Sequence, residues 1–424
     1  MVVSNKKTEL PAGGDEFDFF GFYAELLLRL NSQLNRLPER LVVKVKTALD
    51  DLILLVKEKR PPRFMVIARR GAGKSSLINA IFEYYIRQTG AVQAVTGAAH
   101  WEIYRKGDKE MAVLDTRGIR EGGKPIEYDL SLTPVESILK AVRESLPDAV
   151  LFLCKAKEVD AGINDDLEDV ERILRAIEQF SGVKLPVLAI VSQCDELDPS
   201  DIRNLPTDDE EKNANINKAV EVLKRNILCR GYFQDNLLDV IPISAYARYN
   251  SDGSINRQRD YRWNINLLIE LLLEVLPKQA KLDFARLAQV RKVQKEVARN
   301  VINGCAALCG AIGGITPVPA VDIPIIIGIQ TTMIIIIAYI SGREISYKAA
   351  RELLAGLGIG QVGRIALREA VGFILDFIPL FGDVAAGLLD ASATKAIGEA
   401  AIAYFLDDAP IELVKRMYDQ AKQQ

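Results

Sequence analysis

Residues 63–76 read Arg63-Phe-Met-Val-Ile-Ala-Arg-Arg-Gly-Ala-Gly-Lys-Ser-Ser76, and this stretch decides the fold. Its first six residues form an apolar run behind the breaker Pro61-Pro62, the pattern of a buried strand. Glycines at 71 and 73 then let consecutive backbone N–H groups curl toward one point. Lys74-Ser-Ser76 and Leu77-Ile-Asn-Ala-Ile-Phe82 open a helix whose N-terminus adds its positive dipole end. The spacing is G-x-x-x-x-G-K-[ST], a P-loop with Ala68 at the first glycine position. Arg70, Gly71, Ala72, Gly73, Lys74, Ser75 and Ser76 would wrap the phosphates of a nucleotide. Lys74 would reach the β- and γ-phosphates, and Ser75 would put its hydroxyl on Mg2+. An ordinary glycine turn before a helix is the other reading; the strand–loop–helix setting argues against it.

Outward from the loop, short apolar runs at 111–114, 149–154, 187–191 and 240–243 alternate with longer amphipathic stretches. That alternation predicts βα units, an α/β class and a mostly parallel sheet. Val113-Leu-Asp115-Thr-Arg-Gly118 ends one run with D-x-x-G. There Asp115 would hold Mg2+ and the Gly118 N–H would meet the γ-phosphate. Thr96, in the small-residue stretch 89–100 before a short strand at 102–104, is the candidate third metal group, with Thr89 as second choice. After the run 187–191 comes Ser192-Gln193-Cys194-Asp195, where N-K-x-D would be expected. Asp195 can accept from guanine N1–H and the 2-amino group, and adenine offers no matching pair of donors. Ser192 can make part of the contacts of the missing Asn, and Gln193 can stack its stem on the base without a charge. Ser244-Ala245 follows the last run and matches the short element whose backbone meets guanine O6.

This set of motifs resembles the Era-like GTPases of the translation-factor class over about residues 60–276. The C-terminal part is similar to the YcjF-like domain of bacterial GTPases. Val318-Pro-Ala-Val-Asp-Ile-Pro324, Gly328-Ile-Gln330, Ala393-Thr-Lys-Ala-Ile-Gly398 and Ala403-Tyr-Phe405 carry that similarity. The whole layout resembles the immunity-related (interferon-inducible) GTPases. The resemblance implies a Ras-like P-loop G domain at 61–276, with N-terminal tail and helices at 1–60 and an apolar helical domain at 277–424. Both ends of the chain would build the all-α part. It also implies Mg2+, GTP and GDP as ligands, a homodimer through the G domains, and attachment to membranes.

Catalysis is the weak point of the pattern. Ras-like enzymes carry a Gln directly after D-x-x-G to orient the attacking water. Here the position is Ile119, which cannot polarise water. The catalytic set is then Lys74 and Thr96 with an arginine, Arg70 in the P-loop or Arg117 in D-x-x-G, acting in cis or across a dimer. His100 is a lesser candidate, more in keeping with a structural histidine. Asp165-Asp166 and Asp208-Asp-Glu-Glu211 read as solvated faces. Slow turnover that rises with pairing is expected; the alternative is a membrane-inserting or scaffold protein using bound GTP as a slow structural switch.

Composition bounds the rest. The chain has 424 residues, with 54 Lys and Arg against 57 Asp and Glu, so a globally basic nucleic-acid binder is excluded and no nucleic-acid partner is expected. One histidine excludes His-based triads and zinc sites, and five cysteines without a signal peptide read as a reducing cytoplasm. Seven basic residues lie between 278 and 299, followed by 300–342 with the single charge Asp322, and by a second apolar block at 371–406. The expected arrangement is a helical bundle that attaches peripherally to anionic membrane. A basic helix at 281–299 would lie on the headgroups and Ile335 on a face that meets lipid or core.

Overall fold

The apolar run after Pro62 forms β1 (Arg63–Ala68), buried at its four central positions. The computed structural model describes residues 58–86, 99–115, 134–160, 162–313, 319–343, 347–357 and 391–421, with Val43, Thr47 and Asp50. The expected helices at 17–34 and 39–57 lie outside these residues, except that 43, 47 and 50 are helical. Most of the second apolar block also lies outside them.

From β1 the chain runs through α1 (Lys74–Phe82), β2 (His100–Lys106), β3 (Lys109–Asp115), α2 (Pro134–Glu144) and β4 (Ala149–Lys155). It continues through α3 (Ile163–Ser181), β5 (Val187–Ser192), α4 (Glu210–Leu228) and β6 (Leu237–Pro242). The strand order is β2-β3-β1-β4-β5-β6, with β2 the one antiparallel strand. β4 and β5 are buried along almost their whole length, which is why a parallel interior reads as unbroken apolar runs. α3 turns Ile163, Leu167, Val170, Ile173, Leu174 and Ile177 to one side and ends at Gly182 in the left-handed region. Asp209 caps α4, its carboxylate accepting from the Lys212 N–H at 2.7 Å. The acidic run 208–211 thus includes a helix cap.

A hairpin the sequence reading did not foresee follows Ser244-Ala245: β7 (Ala247–Tyr249) and β8 (Ile255–Asp260). Its second strand, Ile-Asn-Arg-Gln-Arg-Asp, has no apolar alternation because it packs no core face. α5 (Ile265–Val275) closes the sheet domain.

The helical part contains α6 (Lys278–Ala288), α7 (Arg291–Gly313), α8 (Pro319–Ile340), α9 (Tyr347–Gly356), α10 (Ala391–Phe405) and α11 (Ile411–Ala421). The expected single basic helix at 281–299 is two helices, because Gln289 adopts φ 54° and ends α6. α8 is apolar on all sides, and its second half is buried accordingly, Ile334 through Ile337 being at most 1% exposed. α10 lies against α7 at Gly398, where a Cβ would come within 2.5 Å of the Ile302 side chain.

One face of the sheet, with α1, α5 and α6, shares a continuous hydrophobic core with the helical bundle; α2, α3 and α4 cover the other face. Phe64 of β1 meets Phe284 of α6 edge-on at 5.9 Å. The composition break near 277 is therefore not a break in packing.

The basic stretch differs from its expected free face. Arg291 pairs with Asp408 at 2.8 Å, Lys295 with Asp407 at 2.7 Å, Arg299 with Glu399 at 3.4 Å, and Lys292 with Glu270. Arg286 is buried. Acids brought from α5, α10 and the turn after α10 pair with the four α7 cations of what looked like a headgroup-binding strip. Among the described residues no helix is long and apolar enough to cross a membrane.

Candidate functional site

The P-loop curls as its glycines require, Gly71 at φ 78° and Gly73 at φ 94°. The Ala72 N–H donates to the Arg69 carbonyl at 3.1 Å, and the Leu77 N–H to the Gly73 carbonyl at 2.8 Å, which starts α1. Ala72 is buried, Gly73 and Lys74 are half-buried, and Arg70, Gly71, Ser75 and Ser76 are exposed. Together they line a cleft of about 1000 Å3 at the C-terminal edges of β1 and β4. Arg69 anchors the loop, its guanidinium donating to Asp166 Oδ2 at 2.6 Å and to the Gly162 carbonyl at 2.9 Å. Asp166, read as part of a solvated face, is instead a tether for the P-loop.

The loop from Ser192 to Asp195 is tied to the same edge by side chains that the motif alone did not assign. Ser192 Oγ donates to the Ala72 carbonyl at 2.8 Å, with the Cys154 carbonyl 3.3 Å away. Gln193, at φ 60°, donates its amide to the Gly71 carbonyl at 2.7 Å. The substitutes for Asn and Lys therefore both bind P-loop carbonyls, which fixes the stem of Gln193 alongside the cleft. Asp195 is 3% exposed, and its Oδ1 accepts from Ser244 Oγ at 2.9 Å. Ser244 itself is held by paired backbone bonds with Trp263 at 3.2 and 2.9 Å, and Ala245 is buried beside it.

Beneath this loop lies Lys212 of α4, fully buried. Its ammonium donates to the carbonyls of Asp195 at 2.9 Å, Pro199 at 3.2 Å and Leu197. Burial pushes its pKa down, and the charge of Asp195 opposes that shift. A cation satisfied by three carbonyls rigidifies the segment that aims Asp195. Nothing in the sequence flagged Lys212, since it follows an acidic run that looks solvated. Burial also pushes the thiols of Cys154 and Cys194 up to about 12, so both stay protonated under the site.

Asp115 ends β3 with its Cα level with Val66 on one side and His100 on the other. That is the edge from which the P-loop springs. Thr89, Thr96, Arg117, Gly118 and Ile119 lie outside the described residues. His100 Nε2 is 3.3 Å from Glu102 Oε1; Glu102 is fully buried and also accepts from the Tyr104 hydroxyl. His100 is thereby held within β2, in keeping with the structural reading. The assembled edge offers cations and backbone donors at one end and the oriented carboxylate of Asp195 at the other.

Residues 63–192 match the family model described as 50S ribosome-binding GTPase, and residues 280–423 match DUF697, a domain of unknown function. Over 159 residues the chain is 31% identical to the tRNA modification GTPase MnmE of Sulfurimonas denitrificans, covering 35% of this chain and 33% of that protein. The chain thus spans about a third of that relative's length. It is 23% identical over 268 residues to the uncharacterized protein YfjP of Escherichia coli, covering 62% and 78% of the two chains. Among solved structures, a GTP-binding protein of Sulfolobus solfataricus in complex with GDP covers 62% of this chain and 67% of its own. It does so at 16% identity and a TM-score of 0.29, too low to add to the strand order itself. Residues 63–192, which match the GTPase family model, thus fold as an α/β sheet with a P-loop after its first strand, joined to a helical part that matches DUF697.

Proposed function

We propose that this chain is a Mg2+-dependent GTPase that binds GTP and GDP and hydrolyses GTP slowly, allied to the Era-like class and to the layout of the immunity-related GTPases. The observation that carries the proposal is Asp195. It is buried at the edge that holds the P-loop, and one oxygen is oriented by Ser244. No described residue donates to its second oxygen. A fixed carboxylate in that setting suits the paired donors of guanine and gives adenine an unmatched, costly contact. Asp195→Asn should lose GTP affinity and turn toward xanthosine triphosphate in competition calorimetry. A wild type that prefers ATP would overturn the reading.

Ser75, exposed at the first turn of α1, and Asp115, at the end of β3, fit a hard divalent cation through oxygen donors, with Thr96 as the third group. Such an ion would neutralise the charge that develops between the β- and γ-phosphates. Arg70 is exposed at the cleft and has no partner among the described residues. It is the candidate, with Arg117, to stabilise that charge in cis or from a second copy. Turnover per molecule should rise with protein concentration and lose that rise in Arg70→Ala or Arg117→Ala. Equal rates in both variants at every concentration would remove the arginines from the mechanism.

A second reading, the slow structural switch, is favoured by one contact. Asp108, on the turn joining β2 to β3, pairs with Arg286. Arg286 in turn donates to the carbonyls of Tyr339 and Arg343, both at 2.9 Å, and stacks on the Tyr339 ring at 3.8 Å. A shift of the hairpin that carries Asp115 would reach the end of α8 by this route. Asp108→Asn should then erase any nucleotide-dependent difference in hydrogen exchange at 338–343; an unchanged difference counts against the route. Cytoplasmic location is proposed on the cysteine usage, and peripheral contact to anionic membrane on the resemblance. Ile335 is buried and the α7 cations are paired, so that contact would use other surface. Flotation with anionic liposomes in each nucleotide state tests it.

A further inference from the structure

In the N-K-x-D pattern a lysine stands beside the base and the P-loop. In this chain Gln193 takes that position, and its amide is engaged by the Gly71 carbonyl at 2.7 Å. The guanine loop therefore brings no positive charge of its own to the cleft. A lysine nevertheless lies beside the same glycine, delivered by the neighbouring strand. Lys155 is the last residue of β4 and the register partner of Ser192, the first residue of the guanine loop. Its Cε and Nζ both lie 3.6 Å from where a Cβ on Gly71 would sit, so the side chain runs along the outside of the P-loop. It lines the same cleft as Lys74 and Gln193.

Glu158, three residues further on, holds the ammonium at 2.8 Å, and the Lys155 side chain is only 24% exposed. A surface lysine with four free torsions would lose much entropy on meeting a ligand; one already seated by an acid and by the P-loop loses less. We propose that Lys155 is a nucleotide-binding residue that supplies from β4 the cation missing from the guanine loop. Its stem walls the base-and-ribose side of the cleft at Gly71. Its ammonium adds positive charge beside the backbone donors that receive the phosphates. This assignment rests on the GTP reading above and refines it: Ser192, Gln193 and Lys155 divide the work of an Asn–Lys pair among three side chains on two strands.

The test is binding of a fluorescent GDP analogue to the full chain, read as affinity and as dissociation rate. Lys155→Met keeps the stem and removes the charge. It should weaken binding about tenfold, as loss of one partly screened charge-assisted contact does, mainly through faster dissociation. Its salt dependence should flatten, while the melting temperature of the nucleotide-free protein stays that of the wild type. Adding Gln193→Lys to Lys155→Met should restore most of the affinity, because the cation returns from the other strand. Wild-type affinity in Lys155→Met overturns the assignment, and so does a double variant no better than the single. A wild type that binds no guanine nucleotide would instead overturn the GTP reading itself, a result separable from either of those.

Discussion

The loop from Ser192 to Pro199 and the bundle of α7, α8 and α10 are held by opposite means. Around Asp195 the packing is polar and directed: Lys212 meets three carbonyls, Ser192 and Gln193 bind the P-loop, and Ser244 binds Asp195. In the bundle the contacts are largely apolar, with buried polar links such as Gln330 to Thr394 at 3.0 Å and Gln294 to the Ile340 carbonyl at 2.8 Å. Hydrophobic burial has no preferred direction, whereas a hydrogen bond fixes both distance and angle. The orientation of the Asp195 carboxylate by Ser244 is of the second kind. Helices whose task is to fill space against one another need only the first.

Substitutions can break this contrast. The largest effect is expected from Ile335→Lys, which puts an unpaired ammonium where the wild-type side chain is 0% exposed. Loss of more than about 5 kcal/mol, enough to unfold the helical domain, should appear in urea denaturation. A stable Ile335→Lys would mean that this face is not core. Next comes Lys212→Met, close in volume but apolar. If directed bonds hold the guanine loop, it should cost about 3 kcal/mol by leaving three carbonyls unmet, and selectivity for guanine should fall with it. If burial alone mattered there, the same variant would be neutral. Thr394→Val, in the bundle, removes the partner of the Gln330 amide and should cost about 1 kcal/mol without loss of helix content by circular dichroism. Smallest of all is Arg299→Ala: its pair with Glu399 is more than half exposed on both sides. A change of about 0.5 kcal/mol or less, vanishing in high salt, is expected in thermal melts.

The Asp108–Arg286 contact, on the turn joining β2 to β3, belongs to neither style. Arg286 is 3% exposed, stacked on an aromatic ring and bonded to two carbonyls, and its Nε has no partner among the described residues. A buried guanidinium whose paired acid sits on a hairpin turn ties the stability of α8 to the position of that turn.

The P-loop, the parallel strands and the place of Asp195 were legible because each depends on neighbours in sequence. Glycine spacing sets the backbone curl of 71–73, and unbroken apolar runs mark strands covered on both faces, as β4 and β5 are. The division of 281–299 at Gln289 and the polar hairpin at 247–260 escaped notice, since neither carries a hydrophobic period to read. The partners of charges were hidden for a deeper reason. Arg291 finds Asp408 at 117 residues' separation, and Arg69 finds Asp166 at 97. Lys212 reaches back under the guanine loop to the carbonyls of Asp195, Leu197 and Pro199. A periodicity reports which face of an element is buried; it carries no record of which distant element arrives to cover it. The sequence by itself therefore determined that a P-loop and the carboxylate of Asp195 share one sheet edge. Only the tertiary structure decided which cations clamp that edge and which of the basic residues are left for a ligand, because Coulombic and hydrogen-bond partners are chosen by distance in space.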